Sequence, residues 1–302
     1  MSPTASDGLK PTLAELVALR ATAQRRPPAR KGRHNITGPA QSSLRGRGME
    51  YAESREYVAG DDVRHIDWRL TARSGRTHTK LFQAERERLT LIVADTSPAL
   101  YFGTRVRFKS VQAARAAAVM AWAAVRGGDR VAILRGTRKE APVPPASGAR
   151  GALRVLDALV RWYSQPPTDD AGLAMALDSA SRVLRPGSRL VVLADPRSIS
   201  SIPESRWPAL AAHHEVVVLL LTDALESEPP EATLPFSIGG RRIELDLGNQ
   251  AQRQRWKDEF TRPVERALQD LPRCGVQVYS LQGDAPSDSW LPLLGRAQPQ
   301  VA

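Results

Sequence analysis

Three apolar runs constrain this chain more than any other feature. "LTLIVAD", "RLVVLAD" and "EVVVLLLTD" are continuous rather than alternating, and each is far too short to span a bilayer. A strand buried on both faces of a sheet reads this way, because its side chains meet apolar neighbours on either side. Between the first two lies "RFKSVQAARAAAVMAWAAVRGGD", a long Ala-rich helix that Gly127-Gly128 stops. "RVAILRG" reads as a further strand, and "GALRVLDALVRWYSQ", "AGLAMALDSASRVL" and "WPALAAHHE" as helices. Strands and helices alternate with short connections. The expected fold is therefore α/β, a doubly wound, mostly parallel sheet with helices on both faces.

The flanking segments differ. Residues 11–26 read as an amphipathic helix with Leu13, Leu16, Val17 and the Arg20 stem on one face, ended by Pro27-Pro28. Residues 1–48 are thus a helix followed by a basic arm, and residues 49–88 form a charged segment expected to pack on the main domain. In that segment "DVRHIDWRLTAR" reads as a short helix and "THTKLFQAE" as an edge strand. Residues 89–282 make the α/β domain. "RRIELDLG" and "VQVYSL" are its last strands, flanking the helix "NQAQRQRWKDEFTRPVERALQDL". Residues 283–302, rich in Pro, Ser and Gln, read as a loose tail.

Composition narrows the class. The formal net charge is +11, and eight basic residues without an acid lie between Glu15 and Glu50. Such an arm, with Arg25, Arg26, Arg30, Lys31 and Arg33 at its centre, could touch nucleic acid, an anionic membrane surface or an acidic partner, but it reads first as a solvated, partly disordered segment of an Arg-rich chain. It lacks the aromatic residues that stack bases, which argues against nucleic acid. The lone Cys274 excludes a disulfide framework within the chain and fits a reducing, cytoplasmic setting. No basic start followed by an apolar run marks a signal peptide, and no run is long enough for a transmembrane helix.

Catalytic signatures are sparse. No G-x-G-x-x-G follows a strand, and neither G-x-x-x-x-G-K-[ST] nor G-x-S-x-G is present. His34, His65 and His78 are isolated, and the adjacent His213 and His214 diverge around a helix. Two strands end in an acid, Asp95 and Asp195, at the edge where open α/β sheets bind ligands. Asp95 with Ser97 offers oxygen ligands for Mg²⁺; equally, both acids can cap the next turn.

"EYVAGDDVRHIDWRLTAR" has three readings. Asp61, Asp62 and Asp67 could hold a divalent metal for phosphodiester chemistry, which would make the chain an enzyme. They could instead pair with Arg55, Arg64, Arg69 and Arg73, whose planar forks fit carboxylates. Or the segment could face a partner, with Trp68 as its anchor. Interspersed arginines weaken a cation's hold, and the acids are local in sequence, so the structural and partner readings carry more weight. The expectation is that Asp62 and Asp67 face arginines and that Trp68 is largely buried.

The stretch from "LRGRGMEYAESREYVAGDDVRHIDW" through "RLTARSGRTHTKLFQAERERLTLIVADTS" resembles the signature of the domain of unknown function 58 family. The matching motifs are Gly-Arg-Gly, R-E-Y-x-x-G-D-D, R-x-I-D-W, T-A-R, and E-R-E before a strand ending D-x-S. They single out Arg55, Glu56, Tyr57, Gly60, Asp61, Asp62, Arg64, Asp67, Trp68, Arg73 and Glu85 as a structural network or a partner surface. The resemblance also implies a von Willebrand factor A-like domain. Such domains often hold Mg²⁺ through D-x-S-x-S, a Thr in a second loop and an Asp in a third. Asp95, Ser97 and Asp195 match, but Ala99 replaces the second Ser. Ala171-Gly172 stand where the Thr belongs, with Thr168 out of place. The implied metal site is therefore weak and degenerate, and no other cofactor is expected. The implied partners are an AAA+ ATPase of the MoxR type and other von Willebrand A-domain proteins. The function expected is a non-catalytic cytoplasmic adaptor in assembly or maturation of protein complexes.

Overall fold

The computed structural model describes residues 8–24, 49–84, 88–238 and 241–294. The chain divides into two compact units, residues 35–87 and the remainder. The remainder opens with α1 (Leu13–Gln24). Its buried positions are Leu16, Leu19 and Ala23, whereas Leu13 and Val17 are exposed, so the expected face is corrected by about a fifth of a turn. The reason is the partner helix: the indole N–H of Trp122 donates to Leu16 O at 3.1 Å, and the Arg20 guanidinium lies 5.5 Å from the centre of the same ring.

In the smaller unit β1 (Met49–Glu56) pairs antiparallel with β2 (His78–Ala84), and α2 (Trp68–Ser74) lies between them in sequence. The expected single helix over "DVRHIDWRLTAR" is two pieces, a 3-10 turn at Val63–His65 and α2. Two aspartates each start one: Asp62 caps the turn, and Asp67 caps the helix.

The main sheet begins with β3 (Leu89–Ala94), followed by α3 (Lys109–Arg126), β4 (Arg130–Arg135), β5 (Val143–Ala146), α4 (Gly148–Tyr163) and α5 (Gly172–Val183). Then come β6 (Arg189–Ala194), α6 (Pro196–Ser200), α7 (Arg206–Ala211), β7 (Glu215–Thr222) and α8 (Ala224–Ser227). The order across the sheet is β10-β7-β6-β3-β4-β5, where β10 is Gln277–Gln282. All neighbours are parallel except β5 on β4. The fold is thus mixed α/β with a mostly parallel central sheet. Strand side chains alternate between two cores: Ile92, Val217 and Leu219 pack towards α1, α3 and α4. Leu91, Val93, Val216 and Val218 pack towards α5, α6, α7 and α10 (Arg262–Arg273).

Three expectations are corrected here. "RRIELDLG" supplies β9 (Arg241–Asp246), which pairs with β8 (Thr233–Ile238) in a separate two-stranded sheet. Its alternating charges, with Arg242 and Glu244 exposed, suit a surface hairpin rather than a strand buried on both faces. The single helix expected after it is broken into α9 (Gln250–Trp256), a π-helical turn at Lys257–Thr261, and α10. Pro263 lacks the N–H that a continuous α-helix needs there. Finally, the described part of the tail is not loose. Trp290 is fully buried, and its indole N–H donates to Ser287 O at 2.8 Å. Gln112 donates to Gln282 O at 2.8 Å and Ala285 O at 2.9 Å, satisfying the backbone of that turn.

Candidate functional site

The strand order reverses between β3 and β6: β3 leads on to β4 on one side, whereas β6 and β7 continue on the other. The carboxyl ends of strands at such a point form the usual ligand crevice of an open α/β sheet. Three strands end there in an acid: Asp95 after β3, Asp195 after β6 and Asp223 after β7. All three are buried.

Asp95 accepts from Ser97 N at 2.9 Å and from Asp195 N at 3.0 Å, with the Ser97 hydroxyl at 3.4 Å. Burial pushes its pKa up, against the pull of these donors. Asp195 is engaged through both oxygens. Oδ2 accepts from Lys109 Nζ at 2.8 Å, and Oδ1 accepts from Arg197 N and Nε, each at 3.0 Å. Burial raises the Asp195 carboxyl, but the Lys109 and Arg197 charges outweigh it and hold the group below its ordinary value. Lys109 also donates to Glu226 Oε1 at 2.6 Å. For Glu226 burial wins over the attraction of Lys109, and its pKa is raised. Asp223 and Glu226 cap α8 reciprocally, and Asp223 accepts from Thr104 N at 3.0 Å and Thr104 Oγ1 at 2.6 Å. The acids of the neighbouring loop are committed too. Asp169 takes Arg135 at 3.0 Å and Thr137 at 2.5 Å, and Asp170 takes Thr96 at 2.9 Å.

The structure brings Asp95, Ser97 and Asp195 together, as the D-x-S resemblance implies, but their donor set does not fit a divalent cation. Every carboxylate oxygen of Asp95 and Asp195 already accepts an N–H, and an ammonium lies against Asp195. Ala99 offers no side-chain oxygen, and neither does Ala171, where the resemblance implies a hydroxyl ligand. Among the described residues no group of three or more His, Cys, Asp or Glu side chains is arranged to hold a metal ion.

Sequence reasoning missed Lys109, Arg197, Asp223 and Glu226. Lys109 looked like an ordinary helix-start residue, and its partners lie 86 and 117 positions away. The available signal was weak: Asp223 and Glu226 have capping-box spacing at the end of a buried strand.

In the smaller unit, the acids of "EYVAGDDVRHIDWRLTAR" do not converge. Asp61 accepts from Arg55 Nη2 at 2.7 Å and from Val58 N at 3.0 Å, closing a turn in which Gly60 has φ +109°. Glu56 pairs with Arg76 at 2.8 Å, and the Tyr57 N–H donates to Thr77 O at 2.8 Å. Asp62 accepts from Arg64 N at 3.0 Å, with the Arg64 guanidinium 3.9 Å away. Asp67 accepts from Leu70 N at 3.2 Å and from the Ser54 hydroxyl at 3.0 Å. The expectation that Asp67 faces an arginine is therefore overturned: a helix N-terminus offers backbone donors at the right place, and the carboxylate takes them. The expected burial of Trp68 is overturned as well. It stands 70% exposed at the first position of the seven-residue α2, with the exposed Arg69 beside it and the exposed Arg73 one turn on. The side chains of Arg69 and Arg73 make no hydrogen bond or ion pair among the described residues. Glu85 and the arginines of the basic arm from Arg25 onward lie outside the described residues.

The backbone N–H of Val58 chiefly depresses the Asp61 pKa, that of Leu70 depresses Asp67, and the Arg76 hydrogen bond depresses Glu56. Groups with a lowered folded pKa stabilise above the unfolded value, near pH 4, and lose that contribution as pH falls through the folded one. Amide protection factors across residues 49–84, with the pH dependence of intrinsic exchange divided out, should therefore fall on acidification below about pH 4. Protection factors there that are indifferent to acid would show that these carboxylates hold nothing in place.

The fold and site thus define an α/β protein whose switch-point carboxylates are taken up by donors of the chain itself, together with a smaller unit of capped turns. The chain belongs to the family described as "Protein of unknown function DUF58", which matches over residues 53–266. It is similar to the uncharacterized protein Rv1480 of Mycobacterium tuberculosis and the uncharacterized protein Mb1516 of Mycobacterium bovis. Each is 30% identical over 253 residues, covering 79% of this chain and 76% of the relative. No solved structure gives a significant match. Among the described residues no helix is long and apolar enough to cross a membrane.

Proposed function

We propose that this protein is a non-catalytic adaptor of the cytoplasm that presents its smaller unit to a partner of the MoxR-type AAA+ ATPase class. The carrying observation is the exposed Trp68 with the exposed Arg69 and Arg73 on one short helix, both unpaired among the described residues, while the described acids around it are committed to caps and ion pairs. Trp and Arg are the side chains that most often anchor protein interfaces. An exposed indole followed on the same short helix by two exposed arginines suits a partner segment carrying an apolar side chain among acids. The ATPase and the role in assembly or maturation of complexes come from the family resemblance. So does a second class of partner, other von Willebrand A-domain proteins. The sheet order, with a single antiparallel edge strand and a switch between β3 and β6, supports reading the larger unit as von Willebrand factor A-like. The committed state of Asp61, Asp62 and Asp67 favours this reading over phosphodiester chemistry, which needs ligands that converge.

Affinity capture from the native host tests it. The wild-type chain should enrich an AAA+ ATPase. The variant Trp68→Ala/Arg69→Glu/Arg73→Glu should lose that enrichment at least tenfold, because one interface anchor is worth roughly 2 kcal/mol or more. Its melting temperature should stay at the wild-type value. Capture that never enriches an AAA+ ATPase or an A-domain protein, or that survives the triple substitution, contradicts the proposal.

A further inference from the structure

The strongest positive charge in the switch-point crevice belongs to the protein itself. We propose that Lys109 is the resident cation of this crevice, closing it to Mg²⁺ and letting the carboxyl edge of the sheet work without metal. Lys109 sits at the first position of α3 and is 1% exposed. A lysine this deep in a protein is rare unless paired. Here its ammonium spans Asp195 Oδ2 at 2.8 Å and Glu226 Oε1 at 2.6 Å, two acids from different strand ends.

Lys109 and Arg197 set two positive charges against Asp195 and Glu226, the two acids Lys109 touches, while Asp95 and Asp223 are held by backbone N–H and hydroxyl donors. A divalent ion entering beside Asp195 would meet an ammonium and a guanidinium that cannot leave, with no free oxygen to bind. The ammonium is also locked from above. Asp223 and Glu226 fix each other by capping α8, and the Trp256 indole N–H donates to Glu226 O at 3.2 Å. Asp223 in turn holds Thr104, in the connection that leads to α3. The segments after β3, β6 and β7 are thereby tied together by a charge that is part of the chain. A bound metal would come and go with its concentration; Lys109 does not.

The test uses the full chain and needs no partner, so its outcome is separable from that of the adaptor reading. Mn²⁺ is titrated into the wild-type protein and followed by electron paramagnetic resonance, with Asp95→Asn and Asp195→Asn as controls. The expected result is no site lost in either variant, and a wild-type melting temperature that is the same in EDTA and in millimolar Mg²⁺. A stoichiometric Mn²⁺ site that disappears in Asp95→Asn or Asp195→Asn overturns the proposal. Lys109→Ala adds a positive arm: with the ammonium gone, Mg²⁺ or Mn²⁺ should raise its melting temperature by several degrees. A folded Lys109→Ala that ignores both ions counts against Lys109 standing in a cation's place. Should that variant not fold, the wild-type titration decides.

Discussion

Lys109→Met is expected to destabilise the protein by about 3–5 kcal/mol, the range seen when one partner of a buried ion pair is removed. In a chain of this size that lowers the melting temperature by roughly 10 °C. Met preserves most of the side-chain volume, so the loss reports charge rather than a cavity. What remains is two carboxylates, Asp195 and Glu226, buried at 1% and 6% exposure with their common cation gone. Arg197 still holds Asp195, so the larger share of the cost falls on Glu226. A second variant makes the argument sharp. Lys109→Met/Asp195→Asn/Glu226→Gln removes all three charges together and should recover much of the loss, because neutral groups are cheaper to bury than unpaired ions. If the triple variant is less stable than Lys109→Met alone, packing rather than charge pairing is the role of this cluster. Differential scanning calorimetry of the three proteins reads both outcomes.

Trp290→Ala carries the other large expected effect, about 3–5 kcal/mol, as for other buried aromatic truncations. Trp290 is the largest fully buried side chain of the structure and belongs to the core that α1, α3 and α4 share. Its loss also unties the turn that follows β10. That turn is held by Gln112 and by Arg107, which donates to Gly283 O at 2.8 Å, while the Ser287 hydroxyl donates to Gln112 Oε1 at 2.9 Å. Urea unfolding should show the midpoint lowered without a change of slope. A substitution with no effect on the midpoint would mean that residues 283–294 do not contribute to the core.

What was legible in the sequence follows from the range of the forces involved. Strands buried on both faces must be apolar throughout, so β3, β6 and β7 declare themselves as runs. The Ala-rich α3 is packed on nearly every side and ends at Gly127, where the chemistry of the stop is local. The short strand β5, "VPPA", carries two prolines and no periodic signal; only its edge position allows it. The tail looked loose because Pro, Ser and Gln dominate its composition, whereas a single tryptophan decides its fate. The candidate site was half visible. Asp95 and Asp195 stood out at strand ends, but the residue that sets their chemistry, Lys109, meets Asp195 only through the fold. In the signature segment the acids read as a network with arginines. Asp61 and Glu56 behave that way, whereas Asp67 is satisfied by backbone donors of a helix too short to announce itself. The exposure of Trp68 escapes the sequence for a related reason: hydrophobicity favours burial on average, and one tryptophan on a short helix carries no local signal of which side it takes.

The central proposal is that the smaller unit, through α2, is a face offered to an AAA+ ATPase. Hydrogen–deuterium exchange of the full chain with and without that ATPase tests it most directly. The account predicts slower exchange at the amides from Asp67 to Gly75 on complex formation, while the amides of Ala94 to Ser97 and Ala194 to Arg197 keep their rates. Protection confined to the strand ends at Asp95 and Asp195, with α2 unchanged, would contradict it.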